Sequence, residues 1–196
     1  MGRHREFDPD KVLDAALGVF WDKGYEGASY ADLTKAAGVE RPALYSAFGN
    51  KEALFRLALA RYNEHYLTFI PEALALPTAR DVAAHMLFSS ADLNTRYPGH
   101  TGCLNINGAV AASDDAEPIR QALIDVRAAG EIQFRERFER AVAEGDLPPT
   151  AKPAALAAFL MAVLHGMALQ AKAGFNRAML EAVAEQALSA WPAKFA

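Results

Sequence analysis

Between Ala151 and Ala173 the sequence leaves a helix no wet face. Leu156, Phe159, Leu160, Val163, Leu164 and Met167 recur at helical spacing as one stripe, and Ala157, Met161, Ala162, Ala168 and Leu169 fill much of the remaining circumference. A surface helix is covered on one side, but one that is apolar all round has to be covered on two. The longest uninterrupted apolar run, Ala154 to Leu164, falls short of the ~20 residues that cross a bilayer, and it stops at His165. The chain's own helices supply one cover. The predicted second cover is another subunit, so the expectation is a homodimer with no membrane association.

The rest of the chain reads as helices too. Alanine and leucine are abundant and β-branched residues few, which favours helix over sheet. Asp8-Pro9 opens the first helix with an N-cap and a proline at the first helical position; Leu13, Ala16, Leu17 and Phe20 form its apolar face, and Gly24 closes it. Ser29, with Asp32 three residues on, starts a second helix that Gly38 ends. A third, equally short, opens at Pro42 and stops at Gly49, with Leu44, Ala47 and Phe48 facing inward. Asn50 caps a fourth, whose stripe of Phe55, Leu59, Tyr62, Tyr66 and Phe69 runs to Pro71. Further helices are expected near 78–95, 104–112, 116–145, 151–173 and 176–190. The fold class is all-α.

Composition excludes several functions. One cysteine permits no intramolecular disulfide and suits a reducing compartment. The polar start Met1-Gly2-Arg3-His4 predicts no signal peptide, and the expected location is cytoplasmic. No Gly-x-Ser-x-Gly, phosphate-cradling glycine loop, His-Glu-x-x-His or Cys-x-x-Cys is present, so neither catalytic residues nor a cofactor are expected. A helical ligand carrier or dimeric adaptor is the rival from a third class. Net charge is −4, and residues 1–66 hold nine Lys/Arg against ten Asp/Glu, so nucleic-acid binding must rest on where the cations sit rather than on their total.

Two short helices joined at Gly38-Val39-Glu40 fit the helix-turn-helix, whose tight turn delivers the second helix to the major groove. The stretch from Gly24-Tyr25-Glu26-Gly27-Ala28-Ser29 to Ala36-Ala37-Gly38-Val39, followed by Leu44-Tyr45-Ser46-Ala47-Phe48-Gly49-Asn50-Lys51-Glu52-Ala53-Leu54, resembles the DNA-binding domain of the TetR family of repressors. The resemblance covers about fifty residues. It implies a DNA reader over 1–50, a linking helix over 51–70, a ligand-sensing and dimerisation region over 51–196 paired through the last two helices, and release of a palindromic operator when a small-molecule effector binds.

With Leu44 and Phe48 pointing inward, Arg41, Pro42, Ala43, Tyr45 and Ser46 are left for DNA. Arg41 is the candidate for bidentate contact to guanine. Tyr45 stands where the family has a phosphate-contacting tyrosine, and Tyr30 joins the predicted DNA-facing set. Ser29 and Lys51 sit at helix N-termini, which favour phosphate, although Ser29 also suffices as a simple cap. Arg3 and Arg5 form an arm for the minor groove or backbone. Glu40 departs from the serine or threonine usual in the family before the recognition helix.

For the sensing region the expected pocket residues are Phe69, Phe88, Cys103, Ile106, Asn107, Phe134, Phe138, Met161 and His165, each also readable as ordinary core. Their character suggests a mainly apolar ligand with one or two polar handles. A thiol at a helix N-terminus has a lowered pKa, and some TetR-family members with a similar Gly-Cys-Leu segment sense electrophiles or oxidants there; the alternative for Cys103 is a small buried residue. His100 and Cys103 are two possible ligands, which do not make a metal site, and none is expected.

Overall fold

The computed structural model describes residues 7–108 and 113–192; Arg3 and Arg5 lie outside them. Among the described residues every regular element is helical, as the composition predicts. The elements are α1 (Pro9–Gly27), α2 (Tyr30–Ala37), α3 (Arg41–Phe48), α4 (Lys51–Tyr66), α5 (Phe69–Leu74), α6 (Ala79–Arg96), α7 (Leu104–Asn107), α8 (Glu117–Ala143), α9 (Pro153–Lys172) and α10 (Arg177–Ser189), with a short 3-10 turn at Asp114–Ala116 before α8.

The local signals act where they are written. Asp8 Oδ1 accepts from the Asp10 amide, capping α1. Ser29 and Asp32 close a reciprocal capping box on α2, and Asn50 Oδ1 accepts from the Ala53 amide to start α4. Three boundaries differ from the reading above. Gly24 breaks α1 with φ 70°, but a last turn follows it as far as Gly27. The expected 51–70 helix stops at Tyr66, and Pro71 falls in the first turn of the separate α5, where its missing N–H leaves no bond unmade. The predicted 104–112 helix is a single described turn, and residues 109–112 lie outside the described set.

Two apolar cores result. The first gathers Phe20, Trp21, Leu33, Leu44, Leu54, Phe55 and Tyr62 from α1–α4, together with Leu104, Ile119 and Leu123 from α7 and α8. Arg61 locks α4 to α1 through Asp14 (2.8 Å) and Asp10 (2.5 Å). The second joins α6, α8, α9 and α10 around Leu87, Phe138, Leu160, Leu180 and Trp191. Phe69 packs against both.

Helix α9 runs 20 residues with a mean hydropathy of 1.8 over its most apolar window, enough by length and composition to cross a membrane. The sequence argument from the uninterrupted apolar run missed this, because His165 falls inside the helix rather than ending it. Here α9 buries Ala157, Leu160, Leu164, Met167, Ala168 and Ala171 against neighbouring helices and leaves Phe159 (40% exposed) and Leu169 (46%) uncovered.

Candidate functional site

Helix α2 ends at Gly38 in the left-handed conformation (φ 64°), and three residues later α3 begins. Leu44 is buried in the first core, and Phe48 and Val39 pack against it. This seating leaves Arg41, Pro42 and Ser46 exposed and Ala43 and Tyr45 half-buried on the outer face. The Arg41 guanidinium lies 4.2 Å from the Tyr30 ring centroid and 5.3 Å from that of Tyr45, and its Nη2 donates to Tyr45 Oη at 3.1 Å. Tyr30 and Tyr45 stack at 5.1 Å. Tyr30 Oη in turn accepts from the Lys51 amide at 3.1 Å, fixing the start of α4. One cation–aromatic cluster therefore ties α2, α3 and α4 together and fixes the Arg41 guanidinium on the outer face of α3.

Two predicted phosphate contacts are more committed than the sequence suggested. Ser29 Oγ donates to Asp32 Oδ2 (2.7 Å) and accepts from the Asp32 amide (3.1 Å), so the hydroxyl is spent on the cap. Lys23 also binds Asp32 at 2.6 Å, holding that carboxyl well below the usual carboxylate range. The Lys51 ammonium sits 4.7 Å from the Tyr25 ring, and burial pulls its pKa down.

The second feature is a cavity of about 420 Å³ between α4–α5 on one side and α6, α7, α8 and α9 on the other. Of the residues expected at a pocket, Phe69, Cys103, Ile106, Phe134, Met161 and His165 line this cavity. Phe88, Asn107 and Phe138 do not. Phe138 is wholly buried in the second core beside Trp191, Phe88 packs on the outside of that core, and Asn107 Nδ2 turns back to the Thr101 carbonyl at 3.5 Å.

The polar part of the wall was missed. It comprises Asn63, Ser90, Asn94, Asn105, Arg127 and Gln133. A signal existed for two of them, since Ser90 and Asn94 interrupt the buried face of α6 one turn apart and bond to each other at 3.1 Å. Cys103 also requires correction. The helix that follows it is one turn long, and burial pushes the thiol up rather than down. The Tyr62 hydroxyl approaches it without forming a hydrogen bond of good geometry. Burial, with Arg127 nearby, lowers the pKa of His165. Among the described residues no group of three or more His, Cys, Asp or Glu is gathered as for a metal.

Cavity and reader meet through the stretch from Tyr97 to Gly108. Trp21 of α1 is buried, and its Nε1 donates to the Gly102 carbonyl at 2.7 Å. Its ring lies parallel to His100 (5.6 Å, 17°) and edge-on to Tyr62 (4.8 Å, 80°). Gly102 has φ 76°, and a Cβ there would fall 2.2 Å from Asn107 Nδ2 and 2.8 Å from the Ala168 carbonyl. A Cβ on Gly108 would meet the Leu104 carbonyl at 2.8 Å and the Phe55 ring at 3.3 Å. On the other side of this segment, Arg127 Nη1 donates to the Asn105 carbonyl at 2.9 Å.

An arginine held on the exposed face of a helix-turn-helix, backed by a helical region with a largely apolar cavity, defines a ligand-responsive DNA-binding transcriptional regulator. Residues 12–58 match the model of bacterial regulatory proteins of the tetR family, and residues 82–187 match the tetracyclin repressor-like C-terminal domain. The chain is 33% identical over 193 residues to the transcriptional repressor ComR of Escherichia coli, covering 97% of this chain and 92% of ComR. It superposes with a TM-score of 0.91 on a cysteine-substituted form of the TetR-family regulator CifR bound to a 26-bp operator duplex, at 41% identity over 97% of this chain and all of that one. The reduced form of Escherichia coli NemR, at 20% identity and a TM-score of 0.75 over 95% and 98% of the two chains, is alike in fold. The chain belongs to the TetR family.

Proposed function

We propose that the protein is a homodimeric repressor that leaves a pseudo-palindromic operator when a small molecule occupies the cavity. The observation that carries this reading is the physical continuity from cavity to reader, in which Arg127 and Trp21 grip the same short segment from opposite sides. Arg41 reads base edges, Tyr45 and Lys51 hold phosphates, and Tyr30 orients both. Residues 1–50 act as reader, α4 as the link, and the remainder as sensor and dimerisation region, working in the cytoplasm where the DNA is. An occupant that draws Arg127 toward itself releases α7, and α7 bears on Phe55 and α1. Effector binding thereby selects a dimer whose two reading heads no longer match the half-sites. ComR is a repressor, which supports repression here.

The dimer is proposed to form through α9 and α10. Phe159 and Leu169 on α9 and Met179 and Val183 on α10 are exposed apolar side chains, and pairing with a second copy gives a four-helix interface. Replacing Phe159 and Leu169 together by glutamate is expected to raise the dimer dissociation constant by about 100-fold or more, since burying each apolar side chain contributes ~1.5–3 kcal/mol. Sedimentation reads the dissociation. In a reporter whose promoter overlaps the operator, the wild-type chain lowers output and the double variant does not. A monomeric wild-type protein, or a double variant that represses fully, overturns the dimer; increased output with the wild type overturns repression.

A further inference from the structure

The cavity wall carries a cation with no counter-ion. Arg127 is half-buried, and among the described residues no carboxylate lies within 4 Å of it. One N–H is used on the Asn105 carbonyl, and a guanidinium has four more to offer. Burial disfavours its charged form, Arg120 adds to that, and no carboxylate offsets it. On the same wall Asn94 (fully buried) and Asn105 (6% exposed) each hold a carboxamide oxygen without a partner, and so does the buried Nε2 of His165. Native proteins rarely leave such groups unmet. The rest of the lining, including Leu67, Phe69, Ile70, Met86, Phe134 and Leu164, is apolar.

We infer that the occupant is a compact organic monocarboxylate with an apolar body and a hydroxyl or N–H donor. The carboxylate pairs with Arg127, the strong charge-assisted form of the contact. The donor meets Asn94 or Asn105, and the body lies among the aromatic and aliphatic side chains. A cationic ligand is repelled by the same arginine. A neutral ligand satisfies the carboxamides but leaves the guanidinium without its counter-ion. The inference rests on the cavity being the effector site. It also gives that reading its trigger, because a carboxylate taking the remaining N–H donors draws the guanidinium into the cavity, away from the Asn105 carbonyl, and so loosens α7.

The test is calorimetric titration of the full-length protein with phloretate, a phenol carrying a propanoate, against its methyl ester and against hydrocinnamate, which lacks the hydroxyl. Phloretate is expected to bind at least about tenfold more tightly than the ester, tenfold corresponding to 1.4 kcal/mol, and more tightly than hydrocinnamate. Arg127→Gln should bring acid and ester to within about threefold, while Arg127→Lys should keep part of the preference. The ester comparison in the wild type needs no variant, so a misfolded substitution does not rescue the idea. Equal binding of acid and ester, an acid preference that survives Arg127→Gln, or no binding of the acids at millimolar concentration overturns it. If the ester binds and releases operator, the cavity remains the effector site and the carboxylate class falls. If acids bind through Arg127 and operator binding is untouched, the carboxylate site stands and its effector role falls.

Discussion

Gly102→Ala is expected to lower the unfolding temperature by roughly 5–15 °C and to blunt any response of operator binding to ligand. The backbone there has φ 76°, and the added Cβ would lie 2.2 Å from Asn107 Nδ2 and 2.8 Å from the Ala168 carbonyl. The left-handed conformation alone costs an L residue ~1–2 kcal/mol. Overpacking adds about 1–3 kcal/mol, and more when the obstacle is backbone. For a chain of this size each kcal/mol is worth roughly 2–4 °C. The Asn107 carboxamide can swing aside, but the Ala168 carbonyl is backbone, so relief requires α9 or the 97–108 segment to shift, and both line the cavity. Gly38→Ala is the control, since Gly38 has φ 64° but nothing within 4 Å of the added carbon, so only the conformational part of the penalty applies. Thermal unfolding of both variants decides the matter. Equal losses would mean that the 97–108 segment is not clamped between reader and cavity.

Arg41→Ala should weaken operator binding by roughly 10- to 100-fold, the ~1–3 kcal/mol of a bidentate base contact, and should relax preference at one position of each half-site. The effect has a second source. Removing the guanidinium from beside the stacked Tyr30 and Tyr45 rings also loosens the arrangement that sets α3 against α4. Tyr45→Phe separates the two, because it keeps the stack while removing the hydroxyl that holds Arg41. Lys51→Ala is the contrasting case, expected to weaken every sequence alike and to flatten the salt dependence by about one unit of slope. Binding of operator variants across a salt series measures all three. A uniform loss for Arg41→Ala would argue against base reading, and an unchanged slope would remove Lys51 from the phosphate contacts.

The helix-turn-helix was legible because its instructions are local. Ser29 with Asp32, Gly38 and Asn50 each fix a boundary through one cap or one positive φ, and Leu44 and Phe48 orient α3 by their spacing alone. The stripe through Phe69 misled for a physical reason: periodicity records that a side chain is buried, not in which core. Phe69 is half-buried and packs against both cores, and the helix breaks between Tyr66 and Phe69 to place it there. The polar cavity wall was hidden in a similar way. Arg127 is adjacent in sequence to Val126, yet both line the cavity because the middle of α8 borders a void rather than packed core. Local rules likewise placed Cys103 at a helix start, which lowers a thiol pKa, but the thiol packs against the first core, and that burial reverses the direction. Nor does Gly102 announce its role, since a glycine in a loop looks the same whether its surroundings are open or closed.

Selection of bound sequences from random duplex DNA with the purified protein tests the central claim most directly. The reader and its two-fold partner should enrich a pseudo-palindrome whose half-sites lie about one helical turn, ~10 bp, apart. Failure of a folded dimer to enrich any sequence, even as salt is lowered, would contradict the account and leave a helical ligand-binding protein whose helix-turn-helix no longer reads DNA.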